Sequence, residues 1–209
     1  MAFPRTRPIF PAVILSLVAA CGGGDDDTDS ASAAQCSMFT PAAASPYTLP
    51  WYIGQAYTAS PHLARDPGVQ RYAIDVGMPI GTDVLAMRAG TVVRVQEAFF
   101  DGDNVFGHEN HVYVQHEDGT VARYVHLTNR GALVELGEVV TQGQRIGLSG
   151  HTGNSSGPHL HFDVTRSCCT GPPDYNALPA GETLPLTFRN AAPDTSCGLL
   201  PGVRYAAQP

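Results

Sequence analysis

The run Gly157-Pro158-His159-Leu160-His161-Phe162 puts two imidazoles two residues apart inside an apolar stretch. A β-strand repeats every two residues, so His159 and His161 point to one face and Leu160 and Phe162 to the other. Two histidines roughly 7 Å apart on a rigid strand suit a shared metal, or a metal ligand beside a general base. A His-x-His pair by itself carries little weight, because surface histidines are common. This one follows the Gly/Ser-rich stretch Ser149-Gly150-His151-Thr152-Gly153-Asn154-Ser155-Ser156, which sets a loop beside it.

Two further polar residues interrupt apolar runs in the same way. Asp75 lies between Ile74 and Val76, and His126 between Val125 and Leu127. On strands whose neighbours face a core, each projects from the opposite side of its sheet. Any one of them reads as an ordinary exposed strand position. Together on one sheet, neutral imidazoles and a carboxylate form a donor set suited to Zn²⁺, with an open coordination position where a water can be activated.

The elements that must carry these residues read as strands. Tyr72-Ala73-Ile74-Asp75-Val76, Gly90-Thr91-Val92-Val93-Arg94-Val95, His111-Val112-Tyr113-Val114-Gln115 and Val121 to His126 are β-branched and aromatic runs bounded by turn residues. Asp118-Gly119 marks a hairpin between the last two. Thr141-Gln142-Gly143-Gln144 marks a turn between Val139-Val140 and Ile146-Gly147-Leu148. Glycines interrupt most windows long enough for a helix, so the expected class is all-β, an antiparallel sheet or sandwich with long loops.

With these positions in place the chain resembles the lysostaphin/LytM family of M23-type zinc metallopeptidases. The resemblance runs in order through Gly81-Thr82-Asp83-Val84-Leu85-Ala86, Ala89-Gly90-Thr91-Val92, His116 to Gly119, Tyr124-Val125-His126-Leu127, Gly143 to Gly147, Gly150-His151-Thr152-Gly153 and Gly157 to Phe162. It implies an antiparallel two-sheet LytM-like fold of the duplicated hybrid motif type, with a groove floored by the larger sheet. It further implies Asp75 and His161 as zinc ligands, His126 and His159 as the catalytic pair, and peptidoglycan stems or cross-bridges as substrate. Zinc would polarise the scissile carbonyl, one histidine of the pair would take the proton of the attacking water, and both would stabilise the oxyanion.

One position departs from the family pattern. Where a ligand histidine stands four residues before the aspartate, this chain has Arg71. On a strand shared with Asp75, its guanidinium would face the metal position, where it cannot coordinate. Two readings follow. In one, the third ligand is His62 of Ser60-Pro61-His62-Leu63, returned beside Asp75 by a turn at Asp66-Pro67-Gly68. In the other, the domain is metal-free and acts as a peptidoglycan-binding module or an activator of an amidase partner.

The remaining sequence frames this domain. Arg5, Arg7 and the apolar stretch Ile9 to Ala20 read as a signal peptide over residues 1–20, and Val18-Ala19-Ala20-Cys21 resembles a lipobox with Cys21 as the acylated residue. That implies a lipid-anchored protein of a bacterial cell envelope, at the outer membrane facing the periplasm. Residues 21–45, with Asp25, Asp26, Asp27 and Asp29, read as an acidic Gly/Ser/Ala tether. Residues 46–190 form the peptidase-like domain with its motif core at 70–165, and residues 191–209 a C-terminal extension. The formal net charge of −7 argues against nucleic acid as a partner. Besides Cys21, four cysteines remain; adjacent Cys168 and Cys169 rarely bond each other, so they are expected to reach Cys36 and Cys197 in one order or the other.

Secondary positions complete the reading. His116 is expected to hydrogen-bond its hairpin, His111 to start a strand, and His108 and His151 to rim the groove. Asp163 shares the face of His159 and His161 and is expected to orient an imidazole. The Asp/Gly/Asn-rich stretch at 99–110 reads as a groove-wall loop built by turn chemistry rather than as a calcium loop. The Pro-rich segment after Cys169 reads as an extended strap pinned by Cys197.

Overall fold

The computed structural model describes residues 36–62, 70–166 and 183–209. Its described strands are β1 (Ala56–Pro61), β2 (Ile74–Gly77), β3 (Asp83–Leu85), β4 (Gly90–Gln96), β5 (His111–Gln115), β6 (Val121–Val125), β7 (Leu127–Ala132), β8 (Val139–Val140), β9 (Arg145–Ser149), β10 (His159–Thr165), β11 (Ala191–Ala192) and β12 (Arg204–Ala207). They form a nine-stranded sheet in the order β11-β12-β1-β2-β10-β6-β5-β4-β8 and a three-stranded sheet in the order β3-β9-β7. Every pairing between these strands is antiparallel. The all-β, two-sheet class expected from sequence is the one observed.

Alternation along each strand explains the layering. Leu160, Phe162 and Val164 of β10, Ala122 and Tyr124 of β6, Val112 and Val114 of β5, and Ile74 and Val76 of β2 all enter one hydrophobic core. Val84, Leu127 and Ile146, from the smaller sheet, close that core from the other side. The opposite face of the large sheet therefore carries His159, His161, Asp163, Arg123, His111, Tyr113 and Asp75. In register across it stand His111, Val125, His161, Asp75 and Ser60, one from each of five adjacent strands.

The two expected turns are present. Residues 116–120 join β5 to β6, with Gly119 at φ 81°, and Gly143 at φ 79° turns the chain between β8 and β9. The strand expected from Val121 to His126 ends one residue early. His126 has φ 62°, and the chain leaves the large sheet there and enters the small one as β7.

Both ends of the described chain belong to the fold. Residues 36–45, read from sequence as tether, are fastened: Cys36 is bonded to Cys197, and Phe39, Ala42 and Ser45 are buried. Composition pointed to a tether because the acidic run lies further upstream, whereas Phe39 packs on Gly198 closely enough that any Cβ there would collide with its ring. The segment read as a C-terminal extension supplies two strands of the large sheet, with Leu199, Tyr205 and Ala207 in the core. The cysteine pairing also differs from expectation. Cys36 and Cys197 bond each other, because the two terminal segments run together, as the hydrogen bond from Ala42 N–H to Ser196 Oγ at 3.2 Å also shows. Cys168, Cys169, the turn expected at Asp66-Pro67-Gly68 and prolines 172, 173 and 179 lie outside the described residues, as do Cys21 and the signal segment.

Candidate metal centre

Strand β10 delivers His159 and His161 side by side on the face of the large sheet turned away from the main core, and β2 sets Asp75 directly opposite His161 in the register. The Asp75 carboxylate lies between two imidazoles. His161 Nδ1 is 2.9 Å from Oδ1, and His62 Nε2 is 2.9 Å from Oδ2. Burial, the largest influence on Asp75, opposes its ionisation, but hydrogen bonds from His161 and His62 outweigh it and hold the carboxyl well below the usual carboxylate range. His62 stands one residue beyond β1, where its backbone N–H donates to Ala73 O at 3.0 Å and so extends the β1–β2 ladder. The ligand atoms of His62, Asp75 and His161 all lie within 4.8 Å of one another.

Two more imidazoles close one side of this triangle. The His126 and His159 rings are 4.5 Å apart, and His126 and His161 6.0 Å apart. His126 Nδ1 lies 2.7 Å from Thr152 O, and His159 Nδ1 2.8 Å from Gly157 O. A carbonyl only accepts, so each Nδ1 carries the proton and each Nε2 keeps its lone pair. His159 Nε2 is 3.7 Å from Asp75 Oδ1. Burial, and then the neighbouring His161 and His159, pull His126 down to about 3, so it is neutral across the physiological range.

His126 reaches this place by a local backbone choice. In an unbroken strand it would share the face of Ala122 and Tyr124, which is the core. The left-handed conformation at φ 62° reverses that, a geometry uncommon for a residue with a Cβ and concentrated at functional sites. The loop at 150–155 holds the acceptor for its Nδ1, and carboxylates of the 99–110 loop hold that loop in turn. Asp101 Oδ1 accepts from His151 N–H at 2.6 Å, Asp103 Oδ1 from Gly153 N–H at 3.0 Å, and Glu109 Oε1 from Asn154 N–H at 3.2 Å.

A model described as Peptidase family M23 matches residues 69–172. Residues 69–172 form a peptidase family M23 domain. The peptidoglycan DD-endopeptidase ShyA of Vibrio cholerae serotype O1 is 42% identical over 90 residues, covering 43% of this chain and 19% of its own length. Lysostaphin of Staphylococcus simulans is 35% identical over 109 residues, covering 52% of this chain and 20% of its own. A solved catalytic domain of lysostaphin from the same organism superposes with a TM-score of 0.41 at 28% identity, covering 66% of this chain and 88% of that one. The chain spans about a fifth of the length of these two curated relatives.

Within the M23 domain the structure brings together Asp75, His126, His159 and His161, and His62 joins them from outside the matched segment. Arg71 is not among them. The expectation that it shares a strand face with Asp75 fails because β2 begins at Ile74, and residues 70–72 form a turn. Arg71 is exposed, with its guanidinium 5.3 Å above the Tyr72 ring. His116 bonds its hairpin through its backbone, N–H donating to Thr120 O at 2.8 Å, while its Nδ1 donates to Ala89 O, and His108 stacks on Phe99 with ring centroids 4.1 Å apart.

Several residues of the centre carried no signal of their own in the sequence. Ser155 Oγ is 3.1 Å from His159 Nδ1 and 2.9 Å from His151 Nδ1, and Thr152 offers only its backbone oxygen to His126. Arg123 did carry one: a cation at an alternating position of an otherwise apolar strand, opposite Asp163.

Proposed function

We propose that this chain is a zinc-dependent metalloendopeptidase that hydrolyses peptide bonds in the stems or cross-bridges of peptidoglycan. The observation that carries the proposal is the meeting of His62, Asp75 and His161 beside the paired rings of His126 and His159. Two imidazoles and an ionised carboxylate are a donor set that fits Zn²⁺ with a position left open. His62 Nε2, His161 Nδ1 and an Asp75 oxygen would hold the ion. When bound, zinc supplies Lewis acidity that polarises a peptide carbonyl and acidifies a water.

The chain's own residues do the rest. His126 is neutral and has its Nε2 lone pair free, so it can accept a proton from the attacking water. His159, fixed through Nδ1 by Gly157 O, presents its Nε2 lone pair on the same side, 3.7 Å from Asp75, and once it has accepted a proton there it can donate to the developing oxyanion. The envelope is the setting this substrate requires, and the Cys21 anchor belongs to the same proposal. Partitioning of the native chain into detergent checks that part.

Metal content of the full chain, prepared without chelator or affinity-tag histidines, tests the reading. About one zinc per chain is expected, with affinity falling tenfold or more in His62→Ala and in His161→Ala. Purified sacculi should then release soluble muropeptides, and His126→Ala should lower the rate by roughly 10²–10⁴-fold with zinc retained. A wild-type chain that takes up no zinc would overturn the proposal and return the domain to a binding or amidase-activating role.

A further inference from the structure

His161 meets a carboxylate at each nitrogen. Nδ1 faces Asp75, and Nε2 lies 3.4 Å from Oδ2 of Asp163. Asp163 is fully buried, and Arg123, 1% exposed, lies opposite it across the β10–β6 ladder. The guanidinium grips the carboxylate in two-point fashion, Nε donating to Oδ1 at 2.6 Å and Nη2 to Oδ2 at 2.5 Å. A carboxylate with no access to water stays ionised only if a charge compensates it, and a planar fork supplies that charge together with a fixed orientation. The three groups form a buried file along the face of the large sheet that carries the site: cation, anion, imidazole.

We propose that Arg123, acting through Asp163, is a positioning residue that sets the metal affinity of the centre. The inference deepens the zinc reading above and rests on it. When His161 gives up its Nδ1 proton to a metal, the proton it keeps resides on Nε2, which faces Asp163 Oδ2, and the Nδ1 lone pair points toward His62 and Asp75. A hydrogen bond from the far side of a ligating imidazole to a carboxylate fixes the ring and raises its donor strength. Arg123 holds that carboxylate through both of its oxygens, so the acceptor facing His161 Nε2 is fixed in place. Arg123 and Asp163 are both shut off from solvent, so their effect on the metal is carried by His161.

The test removes the ion pair together, as Arg123→Met with Asp163→Leu, because deleting one partner would strand a buried charge. Zinc affinity is measured by chelator competition on the full chain, unfolding of the metal-free chain is followed alongside, and the ligand-field spectrum is recorded with cobalt(II) in place of zinc. The double variant is expected to fold, to bind zinc about 10–100-fold more weakly, and to shift the cobalt bands. Breaking the surface pair with Arg88→Met, where Arg88 Nη1 lies 2.5 Å from Asp118, should change neither metal readout. A folded double variant with wild-type affinity and spectrum would overturn the inference. If the double variant does not fold, Arg123→Lys, which keeps the charge but loses the fork, should weaken zinc by about threefold or more, and unchanged affinity there overturns it equally. Failure of the wild-type chain to bind zinc would sink the metal reading and this inference with it, whereas wild-type binding with unaffected variants sinks this inference alone.

Discussion

At the scale of single residues, His126 bears two costs that packing does not explain. It holds a left-handed backbone, and its imidazole is buried where protonation is strongly opposed. His111, on the same face of the large sheet, is likewise buried, and burial lowers it to about 4 from the ordinary 6.5. As pH falls below 6.5 the unfolded chain protonates both histidines while the folded chain does not, so stability is lost between 6.5 and roughly the folded values. His161 works in the other direction. Burial opposes its charge, but Asp163 and Asp75 outweigh that and raise it to about 9, so its contribution is complete below 6.5 and is lost as pH rises through 9. The metal-free chain should therefore unfold at the highest temperature near pH 6.5, with both limbs falling away. Scanning calorimetry from pH 4.5 to 9.5 checks this. His111→Asn should flatten the acid limb, and an acid limb that begins only in the carboxylate range would contradict the assignment.

At the scale of elements, the centre depends on a loop passing close over a strand. Gly150 lies where the 150–155 loop crosses the start of β7, and a Cβ there would overlap Thr128 N and Cα and the carbonyl carbon of Leu127. Gly150→Ala must push the loop outward, carrying Thr152 O away from His126 Nδ1. It is expected to destabilise the fold by about 1–3 kcal/mol and to lower kcat far more than it raises KM, with zinc affinity kept, because no ligand residue rides on that loop. Equal loss of zinc affinity would show the loop to be coupled to the ligands as well.

The same contrast separates what the sequence could tell from what it could not. Asp75, His159 and His161 were legible because a period of two fixes the face of a strand residue once its neighbours are apolar. His126 joins the site for a reason other than the one its neighbours suggest: Val125 does not face the main core, and a left-handed backbone that alternation does not encode brings His126 round. The face of Arg71 turned on where β2 begins, and element boundaries are weakly encoded. Cysteine pairing depends on the meeting of segments 161 residues apart, which no local pattern records.

At the scale of the whole molecule, the segment matched to the M23 family does not contain its own third candidate ligand. His62 is delivered by β1, which is held on one side by β2 at Ala59–Pro61 and on the other by β12 at Ala56–Thr58. Strand β12 comes from the end of the described chain and is anchored by Tyr205, buried in the core and opposite Tyr57 in the register. The Cys36–Cys197 bond fastens the segments that flank these strands, but β1 takes its register from its hydrogen-bonded neighbours. Stability and metal binding should therefore separate. Replacing both cysteines by alanine is expected to cost about 2–5 kcal/mol in denaturant unfolding and to leave zinc affinity within about threefold of wild type. Tyr205→Ala, which withdraws a buried aromatic from beneath β12, is expected to cost about 3–5 kcal/mol and also to weaken zinc, since β1 then loses the strand that aligns it. If zinc affinity instead follows the disulfide and ignores Tyr205, then His62 is positioned by the covalent link between the terminal segments rather than by the sheet.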